Sequence, residues 1–204
     1  MAIIDLSYTL NNQTSVYAGD PPVEVVASGE LEKDGFADHK VSFGTHIGTH
    51  MDAPAHMIIG GKKLMDYPIE RFMVRGICLD VRSGFHAQDI EAADIQPGMA
   101  VLFYTSASQY FTDEKYWHDY PVLDQAGIDA LVKKQVSMVG MDAGSVDIAE
   151  DFPVHKALLG NDILIIENLN GETVKLVGKE FELFALPLKL EFDGAPTRVI
   201  AKMS

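Results

Sequence analysis

Three histidines and one aspartate lie within eleven consecutive residues of the sequence, and they are the first candidates for chemistry. The set is His46, His50, Asp52 and His56, and it includes three of the chain's seven histidines. Imidazole and carboxylate are suitable ligands for zinc, and also for manganese or iron. A lone histidine is usually a scattered core or surface residue, but this density beside a carboxylate favours a metal site.

The spacing of His46 and His50 limits how the chain can bring both to one ion. On a helix, residues four apart share a face. On a straight strand they would lie roughly 13 Å apart, which is too far to share an ion. Gly48 stands midway and can adopt backbone angles that other residues avoid. We therefore predict that a strand ends near Thr45 and that a tight turn through Gly48 brings both histidines to Asp52.

Two later residues could complete such a site. His155 lies on a predicted helix that begins at Pro153, and Glu167 ends the apolar run 163–166. A carboxylate at the end of such a run is costly to bury unless it is paired or binds a metal. Asn168 follows directly, so an exposed strand end is the competing interpretation.

Composition sets the broad class of the protein. The 204 residues are 47% hydrophobic and 23% charged, which is typical of a globular chain, and we expect one domain over residues 1–204. The net charge of −14 disfavours binding to nucleic acid or to an anionic membrane. Residues 1–10 lack the pattern of a secretory signal, and no segment reaches the apolar length of a membrane span. The single cysteine, Cys78, suits a buried strand. We therefore expect a cytoplasmic protein that acts on a small molecule.

Predicted strands outnumber predicted helices. Apolar and β-branched runs indicate strands at 2–8, 23–27, 40–45, 74–81, 100–105, 136–141, 163–168, 181–187 and 198–202. Helices are predicted over 123–135, with Asp124 as the cap, and over 153–159, with Pro153 in the first turn. The pattern predicts an α/β fold with a mixed sheet and few helices.

The string HIGTHMDAPAH, from His46 to His56, resembles the signature of the cyclase-like metal hydrolases. That family includes bacterial kynurenine formamidase and isatin hydrolase. Residues 4–7, 16–21 and 184–190 are similar to other parts of the family pattern, so the resemblance spans nearly the whole chain. His155 and Glu167 are twelve residues apart, as in the formamidase pattern.

The resemblance implies a fold, a site and an assembly. The implied fold is the swivelling β/β/α type, and the implied assembly is a homodimer or homotetramer. The implied site holds one or two divalent metal ions, zinc or manganese, through His46, His50, Asp52, His155 and Glu167. His56 would be the proton-transfer residue.

The resemblance also implies a reaction. A bound metal ion can lower the pKa of water to near 7 and polarise a carbonyl oxygen, which suits hydrolysis of an amide such as a formamide on an aryl amine. Histidine titrates in the range needed to move the proton. The formamidase pattern has tryptophan before Pro-Gly-Asp, whereas this chain has Tyr17 and Ala18, so Tyr17 is the predicted substrate-binding aromatic.

Other functions fit the same residues. A hydrolase of cyclic amides or imides such as isatin, or a cyclase or dehydratase on the same scaffold, would share the metal ligands. A non-catalytic protein that binds a metal or small molecule would instead have a coordinatively closed site.

Overall fold

A computed structural model of the protein describes residues 2–203. The strands are β1 (Ala2–Asp5), β2 (Glu24–Gly29), β3 (Asp38–Ser42), β4 (His50–Asp52), β5 (Met73–Asp80), β6 (Ala100–Tyr104), β7 (Met138–Met141), β8 (Leu164–Glu167), β9 (Glu180–Pro187) and β10 (Gly194–Met203). The α-helices are α1 (Leu31–Asp34), α2 (Ala87–Ala92), α3 (Gln125–Lys133) and α4 (Pro153–Gly160). Short 3₁₀ turns link several of them, including Pro54–His56.

Seven strands of the main sheet close into a barrel. Their order is β10-β4-β8-β7-β6-β5-β9, and β9 pairs back onto β10, while β1 adds to the outer edge of β10. Neighbours from β5 to β8 are parallel, and the other pairs are antiparallel. Strands β2 and β3 form a separate two-stranded sheet. The predicted α/β class with a mixed sheet and few helices is confirmed.

The barrel strands divide their side chains between two cores. On β6, Ala100 and Leu102 belong to the cluster inside the barrel, whereas Val101 and Phe103 belong to a cluster on its outer face. This alternation follows from the two-residue repeat of a strand. Helices α3 and α4 pack onto the outer cluster, so functional groups on the outer face of the strands lie beside these helices.

The two helices predicted from the sequence are confirmed. Asp124 caps α3, since its side chain accepts a hydrogen bond of 2.8 Å from the backbone N–H of Gly127. Pro153 occupies the first turn of α4. The described residues contain no helix whose length and apolar character would let it cross a bilayer.

Several boundaries differ from the sequence prediction. β3 ends at Ser42 and not at Thr45, and β1 ends at Asp5. The short strand β4 and the helices α1 and α2 were not predicted. β4 contains only three residues and exists because it pairs with β8 and β10, which no local pattern can signal.

Candidate metal centre

A turn at Gly48 leads the chain into β4 and sets the direction of its side chains. Gly48 has a φ of +54°, in the left-handed region that favours glycine, and a Cβ there would lie 2.4 Å from the end of the Leu10 side chain. Beyond the turn, His50 and Asp52 point to one face of β4, while Met51 points into the barrel. The predicted turn through Gly48 is therefore present.

Strand β8 and helix α4 bring the later residues to the same place. His50 pairs directly with Glu167 across β4 and β8, and its Nε2 lies 3.4 Å from Glu167 Oε2. His155 projects from α4, with its Nε2 3.2 Å from Glu167 Oε1 and 3.6 Å from Asp52 Oδ2. All four side chains are buried.

Asp52 lies between two groups of candidate ligands. Its Oδ1 is 2.7 Å from Nδ1 of His46 and 3.4 Å from Nε2 of His50. Its Oδ2 faces His155 and is a buried acceptor with no hydrogen-bond partner among the described residues. Potential ligand atoms lie within 4.8 Å of one another in His46–His50–Asp52 and again in Asp52–His155–Glu167.

In each of the three histidines of these groups, one ring nitrogen forms a hydrogen bond with an oxygen outside the groups. The outer contacts are His50 Nδ1 to the Gly48 carbonyl oxygen (2.8 Å), His155 Nδ1 to Asp147 Oδ2 (2.8 Å) and His46 Nε2 to Asp193 Oδ2 (2.8 Å). The other ring nitrogen faces Asp52 or Glu167 in each case. Metal-binding histidines are typically oriented in this way, by a carboxylate or a backbone carbonyl on the far nitrogen.

The carboxylates at the centre are held ionised. Burial opposes the charge on Asp52, but His50 and His46 outweigh burial and hold the pKa of Asp52 well below its usual value. Burial likewise opposes ionisation of Glu167, and His155 overcomes it, lowering the pKa of Glu167 to about 2. Two buried carboxylates therefore require compensating positive charge.

Protons supply that positive charge in the metal-free chain. Burial alone would lower the pKa of His46, but Asp52 and Asp193 raise it to about 9. The pKa of His50 and that of His155 are also raised, because the nearby carboxylates outweigh burial. A divalent cation could take the place of these protons.

His56 differs from the other histidines of the motif. It ends the turn Pro54–His56, stacks on His46 with ring centroids 3.9 Å apart, and places Nδ1 3.2 Å from Asp193 Oδ2. Burial lowers the pKa of His56 below its usual 6.5, and the carboxylate of Asp52 only partly opposes this. His56 is therefore neutral near pH 7 and can accept a proton.

A cavity of about 280 Å³ opens over this cluster. His46, His50, His56, His155 and Glu167 line one side of it. Tyr17, Trp117 and Phe152 line it as well, and the Tyr17 ring meets Trp117 edge-on at 5.6 Å between centroids. The predicted substrate-binding Tyr17 thus lies at the cavity, which has room for an aromatic ring beside the polar cluster.

Two acidic residues of the site were missed by sequence reasoning. Asp147 accepts hydrogen bonds from the backbone N–H groups of Val154 and His155 as well as from the His155 ring. Asp193 contacts His46 and His56 from the segment just before β10. The Asp-Gly pair at 193–194 indicates a turn, but nothing local indicates its contact with the histidine motif.

The residues present fit a divalent metal ion. The donors are histidine nitrogens and carboxylate oxygens, they converge in a buried pocket, and one carboxylate oxygen of Asp52 has no hydrogen-bond partner there. An orphaned buried acceptor is costly unless something binds it. His46, His50, Asp52, His155 and Glu167 are the residues that would hold one or two ions.

Known proteins match this chain over nearly its full length. The Cyclase family model, described as "Putative cyclase", matches residues 4–148. A kynurenine formamidase of Salinibacter ruber is 35% identical over 214 residues, covering 99% of this chain and 98% of the relative. A solved structure of a potential metal-dependent hydrolase with cyclase activity superposes with a TM-score of 0.80 at 28% identity, covering 98% of this chain and 96% of the other.

An isatin hydrolase bound to the product analogue thioisatinate shares the fold. Its TM-score is 0.86 at 23% identity, with 98% of this chain and 91% of the other covered. The fold implied by the sequence resemblance is thereby confirmed. Together, the family match, the formamidase relative and the hydrolase structure show that the chain belongs to the cyclase family of metal-dependent hydrolases.

Proposed function

We propose that this protein hydrolyses a carbon–nitrogen amide bond, with a formamide on an aryl amine as the preferred substrate class. The observation that carries the proposal is the arrangement of three histidines, each held by one ring nitrogen while the other faces Asp52 or Glu167, at the base of an aromatic-lined cavity. The formamidase relative supports the same reaction class.

The metal ligands of this proposal are His46, His50, Asp52, His155 and Glu167, with zinc or manganese as the ion. When bound, the ion supplies a water of lowered pKa and polarises the substrate carbonyl oxygen. Asp52 would serve both groups of ligands, because its Oδ1 lies near His46 and His50 while its Oδ2 faces His155. The open cavity suits an enzyme better than a closed storage or sensor site.

His56 is the proposed proton-transfer residue. Its Nδ1 is directed at Asp193, which leaves Nε2 available to receive a proton from the attacking water. As the carbon–nitrogen bond breaks, the same Nε2 gives that proton to the departing amine nitrogen. Formate and an aryl amine are the products, so one water is consumed for each bond cleaved.

The aromatic residues at the cavity are proposed to hold the aryl group. Tyr17 and Trp117 meet edge to face and Phe152 lies on the same cavity, so a flat ring could pack among them. Because Tyr17 stands where the formamidase pattern has tryptophan, simple aryl formamides are better first substrates than N-formylkynurenine alone.

The test is formate release from formanilide and from N-formylkynurenine by metal-stripped protein, with zinc or manganese added back. We expect turnover only after metal addition, with kcat/KM above roughly 10⁴ M⁻¹s⁻¹ for the better substrate. Isatin, assayed in parallel, represents the cyclic amides. Ring opening of isatin without formate release would overturn the formamidase assignment, and no metal-dependent turnover of any of the three would overturn the proposal.

A further inference from the structure

Asp193 lies behind the histidine motif, outside the set of residues that line the cavity. Its backbone carbonyl oxygen accepts a hydrogen bond of 2.8 Å from Ala53, the residue that starts the turn to His56. The next residue, Gly194, pairs with Asp52 across β10 and β4. Main-chain contacts therefore fix Asp193 relative to both the proposed metal ligands and His56.

One oxygen of Asp193 contacts two histidines at once. Oδ2 lies 2.8 Å from His46 Nε2 and 3.2 Å from His56 Nδ1, and the two rings stack at an interplanar angle of 29°. An ionised carboxylate only accepts hydrogen bonds, so both of these ring nitrogens must carry hydrogen. The other nitrogen of His46, Nδ1, faces Asp52, where a metal ion would take the place of its proton, and Nε2 of His56 is left for proton transfer.

Gly194 makes this arrangement possible. A Cβ at that position would lie 2.4 Å from Cε1 and 2.9 Å from Nε2 of His46. The absence of a side chain lets the His46 ring lie against β10, directly beside the Asp193 carboxylate. The Asp193-Gly194 pair therefore supplies both the hydrogen-bond acceptor and the space for the ring.

We infer that Asp193 is a positioning residue that fixes the ring orientation and tautomer of His46 and His56 together. Its carboxylate keeps hydrogen on Nε2 of His46, so that Nδ1 is the nitrogen that would bind the metal ion. It also keeps hydrogen on Nδ1 of His56, so that Nε2 is free for proton transfer. This inference rests on the proposed function for its kinetic consequence. Its structural content, the tautomer of each ring, can be measured without any substrate.

A direct test is long-range ¹H–¹⁵N correlation NMR of the histidine side chains in zinc-loaded protein. We expect His56 in wild type to carry its hydrogen on Nδ1 alone, and Asp193→Ala to give a mixture in which the Nε2–H form appears. Asp124→Asn is the matched control, since Asp124 only caps α3, and it should leave the His56 signals unchanged.

Two results of this experiment would overturn the inference. One is a His56 tautomer in Asp193→Ala that is identical to the wild type. The other is a metal-bound signal at Nδ1 of His56, because His46, His56 and Asp193 also form a group whose potential ligand atoms lie within 4.8 Å of one another. A stabilising contact without a positioning role would change the melting temperature of Asp193→Ala but not the tautomer.

Kinetics on two leaving groups adds an independent readout. Formanilide needs a proton on its leaving nitrogen, whereas phenyl formate has a leaving oxygen that departs readily as an anion. At saturating zinc we expect Asp193→Ala to lower kcat on formanilide by about 10- to 100-fold, with a smaller loss on phenyl formate. KM should not change, because Asp193 does not line the cavity.

Asp147→Asn separates metal positioning from proton transfer. Asp147 orients His155 and has no contact with His56 among the hydrogen bonds of the described residues, so this variant should weaken zinc binding by about 10- to 100-fold. At equal zinc occupancy Asp147→Asn should lower the turnover of formanilide and of phenyl formate by the same factor.

Equal losses of turnover on both substrates in Asp193→Ala would contradict the inference. If the wild type cleaves neither substrate, the proposed function fails, while the tautomer experiment still decides the role of Asp193.

Discussion

His50 and Glu167 face each other directly across the antiparallel pair of β4 and β8, with 3.4 Å between Nε2 and Oε2. This register places both side chains on the outer face of the barrel. Asp52 follows His50 by two residues and so points the same way. A shift of β4 by one residue would turn His50 and Asp52 away from Glu167 and from His155 on α4, so the site depends on the strand register as well as on the motif.

Replacing His56 separates proton transfer from metal binding. His56→Ala should lower turnover of formanilide by about 10²- to 10⁴-fold, because general acid–base catalysis would be lost. The amount of bound zinc, measured by elemental analysis, should not change. His39→Ala, at an exposed position on β3, is the control and should behave as wild type. Loss of zinc from His56→Ala would show that His56 is a ligand instead.

The charge of the cavity predicts a preference among aryl formamides. The lining includes Asp20, an acidic residue outside the proposed metal ligands, and none of the described residues that line the cavity is lysine or arginine. We expect kcat/KM for 4-formamidobenzoate, which carries a carboxylate, to be roughly tenfold lower than for neutral formanilide, because like charges repel. Asp20→Asn should reduce this difference. Equal rates on the two substrates in the wild type would contradict the prediction.

The metal-free protein should lose stability as pH rises above neutrality. Asp52 and Asp193 outweigh burial and raise the pKa of His46 to about 9 in the folded chain, against an ordinary value of 6.5. A raised pKa gives stability that is fully present below pH 6.5 and is lost as pH rises through about 9. His50 and His155 shift in the same direction and add to the effect.

Urea unfolding of chelator-treated protein at several pH values between 6.5 and 9 measures this loss. The zinc-loaded protein should show a flatter profile, because the ion replaces the protons. His46→Gln should flatten the profile of the metal-free form. A free energy of unfolding that increases across this range in metal-free wild type would contradict the assigned pKa shifts.

Gly194 is predicted to be essential for the position of His46. In Gly194→Ala the new methyl group would meet the His46 ring at 2.4 Å, so the ring must move away from Asp193 and Asp52. Overpacking of this kind typically costs about 1–3 kcal/mol of unfolding free energy, and zinc affinity should fall with it. Gly171→Ala is the control, since its Cβ would have only an ordinary contact of 3.7 Å with Ser108. Wild-type zinc affinity in Gly194→Ala would contradict the account of His46.

Much of the fold could be predicted because its signals are local. The buried runs that form β6, β7 and β8 are continuous in sequence, and α3 and α4 carry a capping aspartate and a first-turn proline. The turn at Gly48 was predictable from the distance that His46 and His50 must close. In each case the residues that indicate a strand, helix or turn lie within that element or next to it in the chain.

The rest depends on contacts that are remote in sequence. Asp193 is 147 residues from His46 and 137 residues from His56, so its role appears only when β10 pairs with β4. β4 itself is defined by its partners and not by its own three residues. Asp147 is only eight residues from His155, but its contact requires the loop before α4 to fold back onto the helix.

The most direct measurement is the zinc content of the wild type and of Asp52→Asn after both are exposed to zinc and dialysed. Asp52 is shared by the groups His46–His50–Asp52 and Asp52–His155–Glu167, so its loss should affect every ion held by the proposed ligands. We expect at least about one zinc ion per chain in the wild type, held by histidine and carboxylate ligands, and almost none in folded Asp52→Asn. A wild type that retains no zinc or manganese, or an Asp52→Asn variant that retains the full amount, would contradict the proposed metal centre.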